Sequence, residues 1–298
     1  MTLIVLPQGS GGGGGLPAGT GLVYVSGGVG EAVSIGEGVG LQGAPGARSL
    51  IGHSVATIDR AALTPVVWYK GGNYTLTDGQ VTTLTDLSGN GRDATKQAGS
   101  GNRTRALRTA SNSGAQAFTL ETPFTTAAFA MPKMYTAFFV WRRKWDTDAA
   151  YHALWGAVNT GTDGVAVLCA GAAAQDWQGG DLCVFGNGFN AGEAPRAITS
   201  GFPGFTDGEW VASAVRVGTG PRVLCNGYLQ ALRASTNVAE AGNNSAGALW
   251  IGSNPGTTDQ MERASALAEL VIVPGEMADA DMDNLHIDMF REYVGALY

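Results

Sequence analysis

Met134-Tyr-Thr-Ala-Phe-Phe-Val-Trp141 is an almost unbroken apolar run. Successive side chains of a strand point to opposite faces. Tyr135, Ala137, Phe139 and Trp141 therefore make one face, and Met134, Thr136, Phe138 and Val140 the other. Both are largely apolar, so this strand is predicted to be central and covered on both sides. Working outward, Val66-Val-Trp-Tyr69 reads as a strand stopped by Gly71-Gly72. Arg105 to Arg108 and Gln116 to Leu120 are short strand candidates. Further runs lie at Leu154 to Val158, Gly164 to Ala170, Leu182 to Phe185, Trp210 to Val217, Leu249 to Ile251 and Leu267 to Val273. Asn226-Gly227 stands between two apolar runs and signals a hairpin, because its turn needs positive φ at both positions. Short strands separated by Gly, Asn and Pro turns predict an all-β sandwich.

Only the end of the sequence changes period. After Ala268-Glu-Leu-Val-Ile-Val-Pro-Gly275, the residues Met282, Leu285, Met289, Phe290, Tyr293 and Leu297 fall on one helical face. A helix is predicted from about Asp279 to Val294, capped by Asp279, with Asp281 and Asp283 near its positive end.

The bulk numbers agree with one large β domain plus an extra piece. The chain has 298 residues, 44% of them hydrophobic, and 46 glycines, about twice the usual share. Net charge is −7, and the densest basic cluster, Arg142-Arg-Lys144, follows a strand. Nucleic-acid binding needs a distributed positive field, so no nucleic-acid partner is expected. Cys169, Cys183 and Cys225 sit in apolar runs, and their odd number completes no disulfide framework; buried thiols are expected. The first residues are too short an apolar stretch for membrane insertion or a secretory signal.

Residues 1–58 differ in kind. They hold 17 of the 46 glycines, and before Arg48 the only charges are Glu31 and Glu37. Such a segment cannot bury enough surface to fold alone. It is read as an arm that finds its order against an assembly, with the sandwich occupying residues 59–298.

Four stretches carry a resemblance to the concanavalin A-like, laminin-G-type lectin and glucanase superfamily. They are Asp86-Leu-Ser-Gly-Asn-Gly-Arg-Asp-Ala94, Asp207-Gly-Glu-Trp210 with the Asn226-Gly227 hairpin, Gly247-Ala-Leu-Trp-Ile-Gly252, and the last strand with its helix. The likeness spans about residues 64 to 298 and implies a jelly-roll sandwich with a C-terminal helix. Gly19-Thr-Gly-Leu-Val-Tyr-Val-Ser-Gly-Gly28 resembles Gly-rich segments of tail-fibre and other virion proteins of tailed bacteriophages. Together the resemblances imply a virion protein displaying a lectin-like domain, as a homo-oligomer with a trimer favoured.

The chemistry expected of such a domain is binding. Glycoside hydrolysis needs paired carboxylates across a cleft. The strands from Met134 to Trp141 and from Gly164 to Ala170 carry none, so no catalytic residue is assigned. His53, His152 and His286 are given structural or surface roles. Glycan binding needs an aromatic plate beside polar groups. Asp176-Trp-Gln-Gly-Gly-Asp181 supplies one in Trp177, with Asp176, Gln178 and Asp181 around it; Tyr151 and Trp155 are further candidates. Core capping competes for Trp177, and core packing is expected for Trp68, Trp141, Trp210 and Trp250. No cofactor is required. Calcium has candidate oxygen ligands at Asp86, Asn90 and Asp93, although turn formation is preferred for Asp86 and Asp93.

The function expected is a bacteriophage virion structural protein whose lectin-like domain takes host surface polysaccharide, anchored to other virion proteins through residues 1–58. It would be made in the host cytoplasm and released by lysis. An architectural decoration, collar or fibre module without glycan binding is the alternative, and a glycan-degrading enzyme the third reading.

Overall fold

The computed structural model describes residues 3–4, 23–24, 58–97, 106–142, 151–160, 163–170, 182–185, 196–199, 208–235, 242–253 and 265–295. The chain divides into two units, Met1–Thr57 with Leu297, and Ile58–Ala296 with Tyr298. In the first, β1 (Leu3–Ile4) pairs antiparallel with β2 (Val23–Tyr24).

The second unit opens with β3 (Val67–Lys70), β4 (Tyr74–Thr77), β5 (Gln80–Leu84), β6 (Ala94–Lys96) and β7 (Arg108–Ala110). There follow β8 (Gln116–Thr119), β9 (Phe124–Pro132), β10 (Tyr135–Arg142), β11 (Tyr151–Thr160) and β12 (Asp163–Ala170). Then come β13 (Leu182–Phe185), β14 (Arg196–Thr199), β15 (Trp210–Val217), β16 (Arg222–Cys225) and β17 (Tyr228–Leu229). The last elements are β18 (Leu232–Ser235), β19 (Asn243–Ile251), β20 (Ala266–Pro274) and the helix α1 (Asp279–Tyr293).

The strands form two antiparallel sheets. One has eight strands in the order β17-β16-β15-β10-β20-β8-β7, with β3 also on β20. The other has ten, in the order β18-β14-β13-β12-β11-β19-β9-β6-β5-β4. Both β3 and β8 lie along the edge of β20 that faces away from β10, β3 against Glu269–Ile272 and β8 against Ala266 and Leu267.

The predicted central strand is central. β10 lies between β15 and β20, and Tyr135 through Trp141 are all 0% exposed. Tyr135, Ala137, Phe139 and Trp141 join the core between the sheets, and the Trp141 indole N–H donates to Ser213 Oγ at 3.1 Å. The same alternation on β20 sends Leu270 and Ile272 into that core. Two T-shaped ring pairs cross it, Phe118 with Phe124 at 5.5 Å and Tyr135 with Trp155 at 5.7 Å between centroids. The result is the expected jelly-roll sandwich with one C-terminal helix.

α1 packs against β10 and β15 on the other face of the eight-stranded sheet. It buries Met282, Leu285, Met289, Phe290 and Tyr293 of the predicted stripe; Leu297 lies outside the described residues. Each such side chain contributes about 1.5–3 kcal/mol relative to leaving it in water. The N-cap, however, is Ala278, which makes no side-chain cap. Asp279 is already the first helical residue, and Arg216 Nη1 donates to its carboxylate at 2.5 Å. Arg222 holds Asp283 one turn later, at 2.8 and 3.1 Å. The carboxylate expected to cap the helix is thus bound by a cation of the sheet instead.

The Asn226-Gly227 turn has φ of +47° and +84°. Its Gly227 N–H donates to His286 Nε2 at 2.9 Å. An accepting Nε2 means a neutral ring with its proton on Nδ1. Burial, aided by nearby Arg222, depresses the imidazole to about 3. His286 is therefore structural, as expected. Cys183 and Cys225 are buried thiols, also as expected.

A charged cluster ties the start of the sandwich to the helix. Arg60, only 4% exposed, donates to Asp288 at 2.8 Å and Glu292 at 2.7 Å, and its Nε lies 3.4 Å from Glu269. Glu269 also accepts from the Trp68 indole at 2.8 Å, and Lys70 donates to Glu292 at 2.7 Å. Burial raises the Glu269 carboxyl above its ordinary range, with Arg60 and Lys70 opposing.

Candidate functional site

The outer face of the ten-stranded sheet carries a partly exposed tryptophan. Leu249 and Ile251 are 0% exposed in the core, so the residue between them, Trp250, stands on the opposite face. Core packing had been expected for Trp250. It holds for Trp141 and Trp210, which are buried. Trp68 is half-buried and spends its N–H on Glu269. The signal for Trp250 was present in Gly247-Ala-Leu-Trp-Ile-Gly252: strict alternation with Leu249 and Ile251 separates the indole from their face.

Directly opposed residues of neighbouring strands share a face. The register sets Trp250 opposite Thr125 of β9 and Gly156 of β11. Thr125 is opposite Thr95, Thr95 opposite Thr83, and Thr83 opposite Thr75. One line of side chains thus crosses five strands: Thr75, Thr83, Thr95, Thr125 and Trp250. Its four steps of about 4.8 Å span about 19 Å. Thr75 and Thr95 are exposed, Thr83 is half-buried and Thr125 is buried. The Gln97 carboxamide donates to Thr125 Oγ1, and Thr95 Oγ1 donates to the Thr125 carbonyl at 3.4 Å. Gly156 brings no side chain against the indole, and the line carries no charge from Thr75 to Gly156. Beside it, Ala128 faces Ala248 and Ala130 faces Ala246, keeping the sheet surface low.

The sequence-derived candidates fall elsewhere. Asp176, Trp177, Gln178 and Asp181 lie outside the described residues, and for Tyr151 only its place at the start of β11 is described. Trp155 needs correction. It is 1% exposed and packs edge-on against Tyr135, because its register partner is the core residue Ile251. It presents no surface to a ligand.

Around Asp86 the turn reading holds. The carboxylate accepts from the Trp68, Ser88 and Arg92 amides at 3.1, 3.0 and 2.9 Å and from Ser88 Oγ at 2.8 Å. Asp93 accepts from the Asp86 amide at 2.8 Å. Asn90 donates to the Pro65 and Val66 carbonyls, both at 3.0 Å. A calcium ion here would have to displace this bracing. Among the described residues no group of three His, Cys, Asp or Glu side chains is placed to hold a metal. No described helix is long and apolar enough to cross a membrane.

No protein-family model and no curated protein matches the sequence. Solved structures do. Domain 4 of an extracellular arabinanase from Geobacillus stearothermophilus, in complex with arabinotriose, matches with a TM-score of 0.50 at 16% identity, covering 68% of this chain and 92% of that one. A botulinum neurotoxin type C structure described with two ganglioside molecules matches at 0.50 and 14%, covering 78% and 53%. The binding domain of botulinum neurotoxin DC in complex with rat synaptotagmin II matches at 0.50 and 12%, covering 76% and 52%. The chain spans about half the length of those neurotoxin chains. At such identities the likeness shows a shared fold.

Proposed function

We propose that the sandwich is a non-catalytic, lectin-like module that binds glycans through the outer face of its ten-stranded sheet. The observation that carries this is Trp250, a partly exposed indole at one end of an uncharged line of threonines. An aromatic plate stacks on the apolar face of a sugar while polar groups fix its hydroxyls. The line through Trp250 contains no carboxylate, whereas glycoside hydrolysis needs two. The arabinotriose held by the arabinanase domain and the gangliosides of the neurotoxin are saccharide-containing ligands on chains of like fold.

In this reading the module is displayed on a bacteriophage particle. Residues 1–58 anchor it to other virion proteins, copies assemble as a homo-oligomer, and lysis releases the whole. Support comes from the composition of residues 1–58 and from the resemblance of Gly19–Gly28 to virion segments. Repeated copies raise avidity without a tight single site. An architectural module contacting only proteins is the second reading; the complex of the neurotoxin DC domain with synaptotagmin II speaks for it.

Full-length protein screened against surface polysaccharides should show saturable binding that Trp250→Ala removes without changing the melting temperature. Equal binding by wild type and variant would move the site elsewhere, and binding to virion proteins alone would favour the architectural reading. Deleting residues 1–58 should abolish incorporation into particles; unchanged incorporation rejects the anchor.

A further inference from the structure

We infer that the ligand is an uncharged, linear glycan lying across the strands, held along its length by the line from Thr75 to Trp250. This rests on the sugar-binding reading above and adds the class of ligand and its path.

The path follows from register. Each of the four strands β4, β5, β6 and β9 contributes one threonine, and β19 contributes the indole, so the polar groups repeat at the strand spacing, about 4.8 Å. Thr125 is buried and its Oγ1 is engaged by Gln97, so a ligand that meets the indole and the threonines that reach the surface is elongated and runs perpendicular to the strands. The class follows from charge. Hydroxyls and the Gln97 carboxamide match the hydroxyls of a neutral sugar. A uronate or sialate placed on the line would lose water without gaining a cation, and burying an unpaired charge is costly.

Binding along the length follows from the open end. Among the described strands β4 closes this edge of the sheet, and Thr75, Leu76 and Thr77 are exposed on it. No further described strand walls off the line beyond Thr75, so a chain can pass over the edge and its terminus is not read. The stacking ring anchors one sugar, and each further unit adds contacts until the line of about 19 Å is covered.

Titration calorimetry of the full-length protein with arabino-, xylo- and cello-oligosaccharides, from dimer to hexamer, tests this, with polygalacturonate oligomers as the charged comparator. For at least one neutral series the affinity should climb roughly tenfold or more from dimer to pentamer, equivalent to about 1.4 kcal/mol of added contact. Thr83→Val and Thr95→Val, which keep the β-branched shape, should weaken the pentamer severalfold and spare the dimer; Trp250→Ala should weaken both. Affinity independent of length, equal binding of polygalacturonate, or valine variants that bind the pentamer normally would overturn the path while leaving the Trp250 site standing. Failure of every oligosaccharide to bind would overturn both.

Discussion

His286 makes stability depend on pH in a way one substitution isolates. Its Nε2 accepts from Gly227 N, and burial with Arg222 alongside holds the folded pKa near 3, against 6.5 for an ordinary imidazole. The folded value is depressed, so as pH falls through 6.5 the unfolded chain takes the proton first and stability is lost. The loss is about 1.36 kcal/mol per pH unit until the folded ring titrates. Two units below 6.5 it amounts to about 3 kcal/mol. The charged groups that bear on the ring are Arg222 on β16 and, through it, Asp283 on the helix; the Asn226-Gly227 turn adds none.

His286→Gln can still accept from Gly227 but does not titrate. Carboxylates contribute equally to both proteins, so the difference between them isolates the imidazole. Urea unfolding followed by tryptophan fluorescence, at about pH 7.5 and about pH 4.5, should show the advantage of wild type over His286→Gln shrinking by about 3 kcal/mol at the lower pH. Parallel pH profiles, with a constant difference, would refute the neutral buried ring.

Two further outcomes are expected. Arg60→Met leaves Glu269 buried beside Lys70 alone and should cost about 3–5 kcal/mol at neutral pH; Glu269→Gln in the same background should recover part of the loss, read by urea midpoints. Leu285→Asp puts a charge beneath α1 and should cost about 3 kcal/mol or more, seen as a lowered thermal midpoint.

What the sequence revealed followed the strength of its patterns. β10 and β20 were legible because apolar side chains fill both faces, and the β16–β17 hairpin because Asn-Gly has few other uses. β4, β5, β6 and β9 were missed, since Thr75, Thr83, Thr95 and the Ala127–Ala130 stretch give a faint alternation beside a half-solvated face. The same faintness concealed the candidate site. A line of residues drawn from five strands leaves no spacing in the sequence, and it becomes visible only once register is known. Asp279 was misjudged as a cap because its partner, Arg216, comes from a strand more than sixty positions earlier. Trp155 and Trp250 look alike in sequence; the register of β11 with β19 decides which faces inward.

The position of β20 also bears on biosynthesis. Among the described strands it comes last in the chain, yet β3, β8 and β10 all hydrogen-bond to it. Trp68 waits for Val271, and Arg60 for Glu269, Asp288 and Glu292. A ribosome that has not yet delivered residues 266–293 holds a nascent chain with a gap at the middle of one sheet and a buried cation without its anions. Pairings of such sequence separation form slowly and expose sticky edges meanwhile. Chains stopped before residue 266 should therefore yield insoluble product rather than a shortened, working module.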